Sequence, residues 1–175
     1  MENAHLPELW RDLYVMLGTS SAALIGLLFV VTSLHLDDVV KNPVFRVRAY
    51  SGTLYLLTLL VEAELILVPQ PILMLGTELA AINLLGLWLP LSNIYRYFYK
   101  NKQIGNPGGL AIYRALTYII AYLLGIAGSI ALIEQLNWGM YLVTASYTLV
   151  LVGVVLGAWA IMMGIGQTEK IKKKS

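Results

Sequence analysis

The chain has 175 residues, 58% of them apolar and only 13% charged, with a formal net charge of +2 and no cysteine. Soluble domains run nearer to about 45–50% apolar and about 25% charged, so the composition predicts an integral membrane protein. No polar stretch is long enough to bury a core of its own, and without cysteine a disulfide framework, a thiolate nucleophile and a Cys metal site are all excluded.

One membrane domain over 1–175 is therefore expected, all-α, with five transmembrane helices. Residues 1–12 carry Glu2, Glu8, Arg11 and Asp12, too acidic for the leading segment of a signal peptide, and are expected to be retained. The first helix, about 13–36, exceeds the ~20 apolar residues a bilayer needs. Its Gly18, Ala22 and Gly26 recur every four positions, a small-residue seam that predicts close helix packing. The loop that follows contains Asp37, Asp38, Lys41, Arg46 and Arg48, with Asn42-Pro43 expected to stop a helix.

The second helix, about 49–68, carries Ser51, Tyr55, Thr58 and Glu62 at helical spacing, one polar stripe that should face protein or water. Glu64 lies on another side and has no stripe to join; the headgroup region or a second subunit is its expected neighbour. After the tight turn Pro69-Gln70-Pro71, the third helix, about 72–99, holds Pro90, whose ring predicts a kink between Gly86 and Pro90. Asn83, Ser92 and Asn93 are at hand for the freed backbone groups. Tyr95 to Lys100 reads as an interfacial anchor of aromatic and basic side chains.

The fourth helix, about 111–133, has Arg114, Tyr118, Tyr122, Gly125 and Ser129 along one side. A second tight turn at 134–139 leads into the fifth, about 140–165, where Gly153 and Gly157 form a GxxxG pair beside Ser146 and Val150. With five spans, eleven of the twelve Lys and Arg residues fall on one side and only Arg11 on the other. By the positive-inside rule the N-terminus lies outside and the lysine tail in the cytoplasm.

Glu62 lies eight residues before Gln70 and Glu78 eight after it. At about 1.5 Å per residue both sit roughly 12 Å from the turn, and the matching depth predicts neighbouring carboxyls able to share a proton or hold a cation. The structural alternative is a carboxyl hydrogen-bonded across a helix pair to Tyr55, Thr77 or Asn83.

Other chemistry finds little footing. His35, Asp37 and Asp38 are adjacent, but neighbouring helical side chains diverge, so no metal site is expected there. His5 and His35 fall on opposite sides, which leaves no haem pair, and no cofactor is expected. No Walker A, G-x-S-x-G or H-E-x-x-H motif occurs, so the chain reads as a non-enzyme. The four tail lysines fit lipid headgroups and topology, not nucleic acid.

The segment Ala22-Ala23-Leu24-Ile25-Gly26-Leu27-Leu28-Phe29-Val30, then Ser33-Leu34-His35-Leu36, together with Trp10-Arg11-Asp12-Leu13 and the turn Pro69-Gln70-Pro71, resembles small, largely uncharacterised bacterial inner-membrane proteins. The resemblance implies a multi-pass protein of a prokaryotic plasma membrane and carries over no functional residue. The expected function is an oligomeric cation or proton channel or transport component, with Glu62 and Glu78 as the ion pair, Tyr55 and Thr58 on their approach, Glu64 as a further ion-interacting acid, and the Pro90 kink as a moving element. A non-conducting scaffold or regulatory subunit is the alternative. The expected partners are the bilayer, further copies of the chain, an inorganic cation or proton and, for a scaffold, another membrane protein.

Overall fold

The computed structural model describes residues 6–41, 43–95 and 109–172, and among these residues every regular element is helical. A short 3-10 turn, Pro7–Trp10, leads into α1 (Arg11–Leu34); then come α2 (Leu36–Lys41), α3 (Pro43–Leu67), α4 (Ile72–Tyr95), α5 (Gly109–Ile133) and α6 (Gly139–Lys172). Five of them, α1, α3, α4, α5 and α6, are long and apolar enough to cross a membrane. The fold is thus an all-helical bundle with five candidate membrane-spanning helices.

The segment expected to be a loop after the first span is largely helical instead. α2 occupies Leu36–Lys41 and α3 begins at Pro43. A proline at the first position of a helix forfeits no hydrogen bond, because that N–H has no intrahelical partner in any case. Pro43 therefore starts the second span rather than merely ending what precedes it. The predicted anchor residues 96–100 and the loop to 108 lie outside the described residues, as do Glu2, His5, Lys173 and Lys174.

α3, α4, α5 and α6 form a ring in which each helix packs on the next, and α1 lies against α3. The 3-10 turn and α1 also reach α6: the Trp10 ring of the turn meets that of Tyr141 edge to face at 4.8 Å, and the Tyr14 hydroxyl of α1 bonds Thr144 at 2.9 Å. The two tight turns and the start of α1 thus share one end of the bundle, here the hairpin end. α2 and the start of α5 lie at the other.

The turn between α5 and α6 ends its helix with Gln135 at φ 55°, while the Gln135 N–H bonds the Leu132 carbonyl and the Leu136 N–H bonds that of Ala131. This is the Schellman arrangement, built here without glycine. On the outer face, exposed Thr19, Thr77 and Thr148 donate back to the carbonyls of Val15, Met74 and Thr144. In hydrocarbon an unsatisfied hydroxyl is costly, and donating to the helix's own backbone removes that cost.

Candidate functional site

The two polar stripes face each other inside the bundle. On α3, Ser51, Tyr55 and Glu62 are buried and Thr58 is half-buried; on α5, Tyr118, Tyr122, Gly125 and Ser129 are buried, with Arg114 half-buried. α6 adds Ser146 and Tyr147, and α1 adds Tyr14 and Ser21. A column of polar side chains therefore runs lengthwise through an otherwise aliphatic core, its layers about 5–6 Å apart as set by one helical turn.

Glu62 is the centre of this column. It is only 2% exposed, and the Asn83 amide of α4 donates to its carboxylate at 2.7 Å. The same amide nitrogen donates to the Leu79 carbonyl at 2.9 Å, whereas the Asn83 carbonyl oxygen has no donor among the described residues. Tyr14, Tyr122 and Tyr147 lie within electrostatic reach of Glu62. Toward the hairpin end the column continues as two hydroxyl pairs, Ser21 with Tyr147 at 2.8 Å and Tyr14 with Thr144 at 2.9 Å. Toward the other end the Tyr55 and Tyr118 rings stack at 4.2 Å, and Arg114 reaches the Tyr118 hydroxyl. Thr58 donates to the Leu54 carbonyl and stands beside the Tyr122 hydroxyl, which makes no hydrogen bond among the described residues.

Glycines make this layer dense. A Cβ on Gly125 would strike the Asn83 amide oxygen and come within 2.9 Å of the Ser146 hydroxyl, and one on Gly86 would strike the Tyr122 ring. Gly153 and Gly157 likewise serve the chain's own side chains: the Tyr118 ring occupies the space over Gly153 and the Arg114 guanidinium that over Gly157. On α1 only Gly18 of the expected seam is packed, 3.1 Å from the Ala63 methyl by its would-be Cβ. Ala22 and Gly26 are exposed on the outside of the bundle.

Glu78 has a different setting from Glu62. It is half-buried near the hairpin end, and Gln70 of the turn donates to it at 3.0 Å while also donating to the Leu65 carbonyl. The predicted carboxyl pair is thus replaced by two separate hydrogen-bonded acids. The reason lies in side-chain direction: every Cα–Cβ bond leans toward its helix's N-terminus. Glu62 on α3 therefore leans away from the turn and Glu78 on α4 leans toward it. Equal depth of backbone places the two carboxyls apart.

Glu64 is exposed, as its position off the stripe implied. Thr77 also faces outward and so is no partner of Glu62. α4 runs helical through Pro90, but two side chains expected to serve the proline are used elsewhere: Asn83 holds Glu62, and Asn93 donates to the Ser51 hydroxyl at 3.3 Å. Ser92 bonds the Leu89 carbonyl. Sequence reasoning passed over Tyr14, Ser21, Thr144 and Tyr147. For Tyr147 the signal was present, since a tyrosine inside a span rather than at its end needs a partner for the hydroxyl; Tyr14, second residue of the predicted first helix, read as an end residue. Comparisons with protein-family models, with curated proteins and with solved structures found no match for this chain.

Proposed function

We propose that the protein moves protons across a membrane, with Glu62 as the group that takes up and releases them. The observation that carries this reading is a carboxyl only 2% exposed, held by Asn83 at 2.7 Å, in the middle of a lengthwise column of hydroxyl and amide side chains. Ionisable side chains inside spans are rare and mark ion pathways and proton relays. The donor set favours a proton over a metal cation. Ca²⁺ takes about six to eight oxygen ligands, and no cluster of three acidic or imidazole side chains occurs among the described residues. Tyr55, Tyr118 and Tyr122 line the route on one side of Glu62; Tyr147, Ser21 and Tyr14 line it on the other.

The membrane is the plasma membrane of a prokaryote, with the hairpin end outside. The sorting of basic residues supports that orientation, since Arg11 alone among them falls at the hairpin end. Glu78, tied to the turn, then guards the outer mouth. The rival reading, a scaffold subunit, is favoured by one feature: Ala22 and Gly26 leave a small-residue strip of α1 open on the outside of the bundle, with nothing within 4 Å of a Cβ at Gly26.

The test is dissipation of an imposed pH gradient in proteoliposomes holding the full chain. Wild type should carry H⁺ and not Na⁺, K⁺ or Ca²⁺. Glu62→Gln, at unchanged melting temperature, should lose about tenfold or more of the rate, the scale of a lost proton-transfer group, while Glu78→Gln keeps most of it. Undiminished flux in Glu62→Gln, or none in wild type, overturns the proposal.

A further inference from the structure

α1 is held to its two neighbours in different ways. Against α3 it packs closely at both ends of their contact: a Cβ on Gly18 would lie 3.1 Å from the Ala63 methyl, and one on Gly52 would lie 3.4 Å from Leu28. Against α6 it meets side chain to side chain, and the character of the meeting changes along the helix. At the hairpin end it is polar and aromatic: Tyr14 bonds Thr144 at 2.9 Å, Ser21 bonds Tyr147 at 2.8 Å, and the Tyr14 and Tyr147 rings stand edge to face at 6.0 Å. About two turns further on, a cavity of about 50 Å³ lies among aliphatic side chains, Leu24, Leu28 and Val31 of α1 on one side and Val154 and Ala158 of α6 on the other.

In a bilayer no hydrophobic force favours helix over lipid, so helices are held together by packing and by hydrogen bonds between them. A cavity forfeits packing along its lining. The α1–α6 seam therefore depends on its two hydroxyl bonds and the ring contact beside them, whereas the α1–α3 seam depends on close packing. The weaker seam is also the one that covers the column, since Ser21 and Tyr147 are fully buried in it and Tyr147 lies within electrostatic reach of Glu62. While closed it is a stop for protons. The Thr144 hydroxyl spends its one hydrogen on the Met140 carbonyl at 2.8 Å, so Tyr14 is the donor in their pair. That chain ends on a backbone carbonyl, which has no proton to pass on.

We infer that α1 is the gate of the hairpin end: it swings away from α6 on its packed contact with α3, the bonds Tyr14–Thr144 and Ser21–Tyr147 are its latch, and its opening lets water reach the hydroxyls beside Glu62. The seam has the two features a gate needs, a small number of specific bonds that close it and loose packing behind them that costs little to lose. The inference deepens the proton-transfer reading and rests on it for what the gate admits, while the opening itself is read without any flux.

The experiment is thiol labelling of the full-length chain in lipid nanodiscs, where both faces meet a water-soluble methanethiosulfonate. The chain has no cysteine, so Ser21→Cys and Ser129→Cys each introduce a single thiol. Both serines are fully buried, Ser21 in the seam and Ser129 on α5, where its hydroxyl bonds the Gly125 carbonyl. Ser21→Cys should react about tenfold faster than Ser129→Cys. Adding Tyr14→Phe cuts one latch bond and leaves no orphan, because Thr144 keeps its bond to Met140; it should speed labelling at position 21 about threefold, the factor one average bond between membrane helices carries, and leave position 129 unchanged. Equal rates at the two positions overturn the proposal. So does an equal acceleration of both by Tyr14→Phe, which is general loosening of the fold. The expected labelling in a protein that carries no H⁺ leaves the gate standing and removes the proton as what it admits.

Discussion

The layer around Glu62 and the end around Arg114 are built from the same residue types, tyrosine, serine, asparagine and glycine, yet one is filled and the other open. Around Glu62 the space left by Gly125 and Gly86 is taken by Asn83 and by the Tyr122 ring, side chains that are themselves buried. Around Arg114 the space over Gly157 is taken by the far end of a long, flexible side chain beside a cavity of about 70 Å³. The first region can specify a single arrangement of donors and acceptors; the second leaves a long side chain room to move. Closeness of packing, not polarity, separates them.

The largest expected effect tests that difference directly. Gly125→Ala forces a methyl into the Asn83 amide and against the Ser146 hydroxyl, displacing the Asn83 donor to Glu62, and should cost about 2–3 kcal/mol, the upper range for overpacked cores. Gly157→Ala meets only the tip of Arg114, which can swing into the cavity, and should cost less than about 1 kcal/mol. Reversible unfolding in mixed micelles measures both. Similar losses for the two glycines would mean that the arginine end is as rigid as the centre.

A smaller effect separates the tyrosines within the column. Tyr147 shares a hydrogen bond with Ser21 at 2.8 Å, whereas the Tyr122 hydroxyl has no partner among the described residues. Hydrogen bonds between membrane helices average about 0.6 kcal/mol, with a ceiling of about 1.7. Tyr147→Phe should therefore destabilise by about 1 kcal/mol. Tyr122→Phe should be neutral or slightly stabilising, because removing an unsatisfied buried hydroxyl removes a desolvation cost. If the Tyr122 hydroxyl carries protons, the same variant slows flux at full stability, and the two readouts come apart.

Much of this arrangement was legible in the sequence, and the rest was hidden for identifiable reasons. Ser51, Tyr55, Thr58 and Glu62 declare an inward face through spacing alone, as do Arg114, Tyr118, Tyr122, Gly125 and Ser129. A polar stripe on an apolar helix has nowhere else to go. Which residue of one stripe meets which of another depends on side-chain direction and on how one helix is displaced along its neighbour. Counting from Gln70 gives the depth of a Cα and is blind to the lean that sends Glu62 to Asn83 and Glu78 to Gln70. The GxxxG pair was legible as close packing, but not as room for a tyrosine ring and a guanidinium, since the pattern reports only what is missing at Gly153 and Gly157. The cavity at Arg114 needs Arg48 and Asn93 to converge from two other helices, and no local periodicity records that.

The smallest effect bears on what covers the outside of α1. Gly26 belongs by spacing to the same strip as Gly18, yet a Cβ there meets nothing within 4 Å, whereas at Gly18 it lies 3.1 Å from Ala63. A helix-interior glycine with open space around it costs about 0.5–1 kcal/mol relative to alanine. Gly26→Ala should therefore stabilise the chain by up to that amount, while Gly18→Ala, which must push on Ala63, gains nothing or loses. The gain at Gly26 requires that the strip face lipid. If a second helix, from another copy or another protein, lies along Ala22 and Gly26, the added methyl enters that contact and the sign reverses in the assembled state. Measuring Gly26→Ala in dilute micelles and again in bilayers at high protein density thus distinguishes a bundle that works alone from a subunit whose seam is occupied.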